Sequence, residues 1–293
     1  MKLKPALKYD EQIRKLKDDH HLSISDDKSA EEILKKVNYY RLSGYGIGLK
    51  EINNKELYKD HITIEHLFKL YCFDSQFKNN LMRIIEQIEI EFRTQIAYHL
   101  SIKYGADVLM HDENFVNRTN KEGQTIYCVI NSNLEKEIDR QRNKPFVKHH
   151  IEKYNHKFPI WVSVELMSFG ILSSLFSILK YEDQKVISNY YNTSPEYLKN
   201  WILCLVEVRN ICAHYTRLYN MPLKENPRLY KEYIQYVARQ NKVFPILLII
   251  KRMLNSNEQW ISLLKDLKKT FVKYNGFFNF SFMGFPNNWE DIL

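Results

Sequence analysis

The stretch from residue 63 to residue 105, TIEHLFKLYCFDSQFKNNLMRIIEQIEIEFRTQIAYHLSIKYG, decides the fold class. Its apolar side chains recur every three or four residues, which places them on one face of an α-helix. The clearest run consists of Leu81, Ile84, Ile85, Ile88 and Phe92. Thr63 is a favourable N-cap residue, and Gly105 is typical of the position just after a helix. The stretch therefore predicts one long helix.

The composition extends this prediction to the whole chain. Of 293 residues 44% are hydrophobic, with 20 Tyr and 16 Phe but only 8 Gly and 8 Pro. Few turn-forming residues argue against a many-stranded fold, since each strand connection needs its own turn. We therefore expect an all-α fold. The chain has no internal repeat and no low-complexity linker.

Other segments predict further helices. Residues 10–20 read as a short amphipathic helix, and Ser29 with Glu32 predicts a capping box that opens a second one. Ser194 and Pro195 predict a helix start, with the helix running to Met221 and Pro222. The remaining predictions are helices near 126–141, 146–154, 228–253 and 256–274, and either one core helix over 161–180 or a pair broken at Gly170.

Glycines occupy alternate positions at Gly44, Gly46 and Gly48. The lysine of a GxxxxGK[ST] phosphate loop is missing, and no strand precedes the segment, so a nucleotide-binding loop is excluded. We expect a flexible turn or a close backbone contact instead.

The charge and the apolar stretches indicate the environment of the chain. A net charge of +8 favours polyanionic partners. The longest apolar run, residues 243–250, is far shorter than the ~20 residues of a membrane span. No signal peptide is recognisable at the start. We expect a soluble cytoplasmic protein whose four cysteines are reduced.

Residues 207–220, EVRNICAHYTRLYN, concentrate polar groups directly after an apolar run. On a helix Asn210 and His214 are i, i+4 neighbours, and His214 and Arg217 are i, i+3 neighbours. Arg209 can reach the same groove, so two guanidiniums, an amide and an imidazole could hold one anion. Two structural alternatives are open: these cations complement the helix dipole, or Arg209 pairs with a buried carboxylate.

The string R-N-x-x-A-H at Arg209–His214 resembles the R-x4-6-H motif of HEPN ribonucleases, in the form found in Abi-like (AbiD/AbiF type) abortive infection proteins. Two other segments resemble the same family: KVNYYRLSGYGIGLK at 36–50 and IEIEFRTQIAYHLSIKYG at 88–105. The resemblance implies a HEPN-like helical bundle over 61–293 with an N-terminal helical extension over 1–60, or one continuous domain.

The resemblance also implies a function. Family members with an intact motif cleave RNA without a metal, in a groove often built by two HEPN domains, and some are restrained by a structured noncoding RNA. We therefore expect an antiphage, toxin-like endoribonuclease that acts as a homodimer. A non-catalytic protein that recognises a noncoding RNA is the alternative, and a protein-interaction role is a third.

The residue types suit this chemistry. RNA carries its own nucleophile, the 2′-OH, so an enzyme has only to orient it, move protons and stabilise charge. His214 would transfer protons and Arg209 would bind the charged transition state, while Asn210 positions the histidine or the phosphate. Arg217 would be an additional phosphate contact.

A second arginine and histidine, Arg93 and His99, also fit the loose motif with five residues between them. They could form a second RNA-binding half-site. Alternatively, Arg93 pairs with Glu86, Glu89 or Glu91, as i, i+4 ion pairs on helices commonly do. Adjacent histidines elsewhere cannot chelate as i, i+4 pairs do, and HExxH is absent, so we predict no metal site and no cofactor.

Overall fold

The computed structural model describes residue 3 and residues 5–293. Fourteen α-helices form the described chain, with only isolated bridges in place of β-strands, so the all-α prediction is confirmed. The helices are α1 Tyr9–Asp18, α2 Asp27–Lys36, α3 Tyr39–Ser43, α4 Ile64–Tyr104, α5 Ile126–Arg140, α6 Pro145–Lys153, α7 Ile160–Leu166, α8 Phe169–Ile178, α9 Tyr181–Tyr190, α10 Pro195–Ala213, α11 Lys231–Ile234, α12 Val243–Met253, α13 Asn257–Lys273 and α14 Trp289–Ile292.

The long helix α4 is the axis of the fold. Its 41 residues span about 60 Å. Thr63 caps it, since its hydroxyl accepts the His66 N–H at 3.1 Å, and Gly105 ends it with φ of 97°. Helices α7, α9, α10 and α13 pack along its length, and α8 bridges α10 and α5. Both ends of the helix agree with the sequence prediction.

The apolar residues form two clusters. The smaller one joins α1, α2 and α3 to Ile64 and Leu67 at the start of α4, and the larger one contains the rest of the bundle. Among its members, α12 has nine buried residues out of eleven. The division into an extension over 1–60 and a domain over 61–293 stays a prediction.

Several predicted helix ends were wrong. Helix α2 begins after Asp26, whose carboxylate accepts the Lys28 N–H, and not after Ser29. The core pair α7 and α8 separates at Met167 and Ser168, because Ser168 caps α8, while Gly170 lies inside α8. The segment 228–253 splits into α11 and α12. In each case a local capping bond or turn interrupts a continuous apolar pattern.

The glycine segment forms a close backbone contact. A Cβ atom on Gly46 would lie 2.6 Å from the Tyr58 ring, and one on Gly48 would lie 2.8 Å from the Phe282 ring. Gly48 also has φ of +89°, which disfavours other residues. Gly46 therefore packs closely against Tyr58, and Gly48 against Phe282 in the C-terminal part of the chain.

Two further observations concern the described residues. None of their helices combines the length and apolar character that crossing a bilayer requires. All four cysteines carry free thiols: Cys204 and Cys212 are buried, Cys72 is half-buried and Cys128 is exposed.

Candidate functional site

The candidate site lies at the C-terminal end of α10. Trp201, Leu205 and Val208 are buried and fix the helix against the core. Helix α10 ends at Ala213 and does not continue to Met221 as predicted. The N–H of Tyr215 donates to the Cys212 carbonyl at 3.2 Å, and that of Thr216 donates to the Ile211 carbonyl at 3.0 Å. This pair of bonds is a Schellman motif.

The residue in the left-handed conformation of this motif is Tyr215, with φ of 56°. Glycine usually occupies that position, and a bulky residue there is strained by about 1–3 kcal/mol. The local sequence does not predict this turn, because residues 214–221 contain neither glycine nor proline. Contacts from distant parts of the chain must therefore hold it.

Asp74 of α4 is the main such contact. Its fully buried carboxylate accepts the Tyr219 N–H at 2.7 Å and the Leu218 N–H at 3.2 Å. It also accepts the Tyr45 hydroxyl at 2.7 Å and lies 3.1 Å from the Lys78 amine. Burial and the neighbouring carboxylate both raise the pKa of Tyr45, so this phenol stays a hydrogen-bond donor.

Two cations bind the same turn from other sides. Lys78 donates to the Thr216 carbonyl at 2.8 Å, and a guanidinium nitrogen of Arg41 in α3 donates to the Tyr215 carbonyl. Backbone groups of residues 215–219 are thus bound by side chains from α3 and α4, and Tyr45, just after α3, donates to the Asp74 carboxylate. We call Arg41, Tyr45, Asp74 and Lys78 the turn anchor.

Arg209 lies beside a half-satisfied carboxylate. Its Nε atom is 3.6 Å from Oε2 of Glu89 in α4, and the other Glu89 oxygen accepts from Arg93 at 2.9 Å. The Arg209 Nε is buried and has no hydrogen-bond acceptor in the described part of the chain. Its two terminal nitrogens also lack a protein acceptor there, but they are not buried. With its side chain 31% exposed, Arg209 keeps the forked end of its guanidinium open to solvent.

Glu89 therefore lies between two arginines. Burial raises the pKa of Glu89, although the charges of Arg93 and Arg209 partly oppose that shift. Within the described residues, Glu89 is the carboxylate that the structural alternative required for Arg209. Its better-formed bond goes to Arg93, which also donates to the Met167 carbonyl at 3.0 Å.

Asn210 and His214 are both exposed. The His214 N–H donates to the Asn210 carbonyl at 3.0 Å, so the predicted i, i+4 relation exists. In the part of the chain that the structure describes, the His214 imidazole forms no hydrogen bond or ion pair. The ring is therefore accessible to a ligand.

Arg217 is not on the same helical face, because the helix has already ended. Its side chain is half-buried and donates to the Tyr219 carbonyl at 2.9 Å. Burial lowers the pKa of Arg217, and the nearby Asp74 charge opposes that shift. The predicted i, i+3 relation to His214 was wrong, although the two residues belong to the same turn.

Arg93 and His99 are separated in the structure. Arg93 faces Glu89 and thus comes close to Arg209. His99 instead bonds the fully buried Asp183 of α9 at 2.7 Å, together with Lys103 and Tyr104. Burial alone would raise the pKa of Asp183. The hydrogen bonds from these three side chains outweigh that effect, so the pKa is lowered. Both side chains of this pair already have protein partners.

Sequence reasoning missed the turn anchor. Asp74 carries a signal that could have revealed it, since it is a charge between Phe73 and Phe77 on the apolar face of a long helix. A charged residue at such a position needs a buried partner.

Across the described residues, no group of three or more His, Cys, Asp or Glu side chains is placed to hold a metal ion.

The three segments singled out in the sequence meet at this end of α10. The first contributes Arg41 and Tyr45, the second Glu89 and Arg93, and the third the turn itself. A family model described as Abi-like protein matches residues 32–220, well over half of the chain. The chain belongs to the Abi-like protein family, which associates it with abortive infection, a defence against phage. No curated protein and no solved structure matches it.

Proposed function

We propose that the protein is a HEPN-type endoribonuclease of bacterial abortive infection, which cleaves RNA through attack of a 2′-OH on the adjacent phosphate. One observation carries the proposal. An exposed histidine without a protein partner lies five residues after an arginine whose terminal nitrogens are open to solvent. A group that exchanges protons and a bidentate phosphate ligand are thus both accessible near the C-terminal end of α10, and the long Arg209 side chain can swing toward His214.

The reaction follows from these roles. The 2′-oxygen loses its proton and bonds to phosphorus, while the bond to the 5′-oxygen breaks and that oxygen receives a proton. His214 exchanges one of these protons, and Arg209 balances the negative charge on the phosphorane oxygens. Asn210 is placed one turn before His214 to orient the ring or the phosphate. The products are a 2′,3′-cyclic phosphate and a 5′-hydroxyl.

The reaction needs both a base and an acid, and this end of α10 offers one imidazole. We therefore propose a homodimer in which two copies of residues 207–220 face each other, since C2 pairing is the commonest way to double a site. Light scattering on the active protein tests this. A monomer with full activity would refute the paired site.

The test of the function is a cleavage assay on total RNA in the presence of EDTA. We expect cleavage to persist, because RNA supplies the nucleophile and Arg209 supplies positive charge. Mapping of the RNA ends should find 2′,3′-cyclic phosphates. Activity that requires added magnesium would refute the mechanism. RNA binding without cleavage would instead favour the non-catalytic function, with a structured noncoding RNA as the ligand. Either function places the protein in the cytoplasm with its RNA.

A further inference from the structure

Two cations, Arg239 and Lys242, lie beyond the turn and outside the stretch that the family model matches. Lys242 is only 6% exposed, and its amine donates to the Asn220 side-chain oxygen at 3.3 Å. Arg239 is exposed, and its carbonyl and the Lys242 side chain both border Gly284. Arg217 belongs to the same turn as Asn220. The turn that holds Arg217 and the segment that holds Arg239 and Lys242 therefore meet at the bond between Asn220 and Lys242.

The cations lack compensating charge. The one carboxylate close to Arg217 is Asp74, and it already bonds Tyr45, Lys78 and two backbone N–H groups. Among residues 5–293, neither Arg217, Arg239 nor Lys242 has a carboxylate within 4 Å. Burial and the charges of Arg239 and Arg217 lower the pKa of Lys242.

An anion would remove this imbalance. Positive charge that is half-buried and unpaired is unfavourable, and a bound phosphate restores the lost interactions. Arg217 uses one donor on the Tyr219 carbonyl, so other guanidinium donors are available. The position also fits, because Arg217 is the third residue after His214, so their Cα atoms are within about 10 Å of each other.

We propose that Arg217, Arg239 and Lys242 form a groove that binds the phosphates next to the one cleaved at Arg209 and His214. We call these three residues the flanking-phosphate groove. The strand leaves the scissile position along the turn 215–220 and passes over Arg217 and Lys242, with Arg239 at the open end. This inference rests on the proposed function for the identity of the strand, but binding tests it separately from cleavage.

The experiment measures the affinity for a fluorescent 12-nucleotide oligoribonucleotide, fully 2′-O-methylated so that it cannot be cleaved, across a range of salt concentrations. Arg239→Gln/Lys242→Gln is compared with Lys136→Gln/Arg142→Gln, which removes one lysine and one arginine from exposed positions in or just after α5. We expect the slope of log K against log salt to fall by about 0.7–1.4 in the first variant, as one or two phosphate contacts are lost. Affinity at 0.1 M salt should fall about 5- to 25-fold.

Arg239→Gln alone guards against misfolding, since this exposed side chain has no ion-pair partner in the described chain. It should lower the slope by about 0.7. An unchanged slope in both variants, an equal loss in the α5 control, or no binding by the wild type would overturn the groove. Binding by the wild type without cleavage of unmodified RNA would reject the nuclease and leave the groove in place.

Discussion

The carboxylate of Asp74 accepts the backbone N–H of Tyr219 at 2.7 Å, although 145 residues separate them in the chain. This bond ties the central helix to the turn that follows His214. The turn contains a strained tyrosine in the left-handed conformation and no glycine to relieve it. The position of the histidine therefore depends on a buried side chain that has no role in the proposed chemistry.

We expect Asp74→Asn to loosen the turn more than it unfolds the bundle. The change leaves the Lys78 amine without its carboxylate, which costs about 3–5 kcal/mol. Amide exchange at residues 216–219 should become faster, and cleavage should fall. Tyr45→Phe removes a single hydrogen bond and should give a smaller loss of about 1 kcal/mol.

Asp183→Asn is the matched control, because Asp183 is equally buried and accepts from three side chains, none of them in the turn. It should lower stability without speeding exchange at 216–219. Equal exchange rates in the Asp74 and Asp183 variants would show that Asp74 contributes only general stability.

We expect His214→Ala and Arg209→Ala each to lower the cleavage rate at least about 100-fold, the usual loss for a proton-transfer group or a charge-stabilising donor. Folding should survive, because His214 is exposed and Glu89 keeps its bond to Arg93. Cleavage and thermal melting are measured on the same samples. The exposed His149→Ala should keep wild-type activity. A strongly destabilised Arg209→Ala in an inactive parent would mean that Arg209 only neutralises Glu89.

The carboxylates of Glu89 and Asp183 should change the free energy of unfolding with pH in opposite directions. The pKa of Glu89 is raised in the folded state, so its contribution to stability falls as pH rises from about 4.3 through the folded pKa. The pKa of Asp183 is lowered, so its contribution is present above about 3.9 and is lost as pH falls through the folded pKa.

Urea unfolding between pH 3 and pH 7 checks both signs. Relative to the wild type, Glu89→Gln should gain stability as pH rises, and Asp183→Asn should lose it. A Glu89→Gln curve parallel to that of the wild type would contradict the raised pKa.

The cysteines should differ in reactivity. Burial raises the pKa of both Cys204 and Cys212 to about 12, and the thiolate is the reactive form. Cys128 is exposed on α5. In a DTNB titration of the folded protein, Cys128 should react first, and Cys204 and Cys212 should react only when urea unfolds the chain. Rapid loss of all four thiols without denaturant would contradict the buried placement.

The sequence was sufficient where structure is local. Helix α4 begins after Thr63 and ends before Gly105, as predicted, because caps act within a few residues. Asn210 and His214 keep their spacing for the same reason. The end of α10 could not be predicted, since the bonds that hold residues 215–219 come from Arg41, Asp74 and Lys78, which are distant in the chain. The periodicity of α4 marks Asp74 as a charge on a buried face, but it does not say which distant residues that charge binds.

The contact of Phe282 with Gly48 and that of Gly284 with Lys242 can form only late in the synthesis of the chain. The ribosome makes Phe282 roughly sixty residues after Asn220, a delay of about 3–12 seconds at ordinary elongation rates. Until then, the chain lacks the residues that pack against Gly48 and against the Lys242 side chain. The contacts of Gly48 and Lys242 with this segment therefore form only after residues 282–284 have been synthesised.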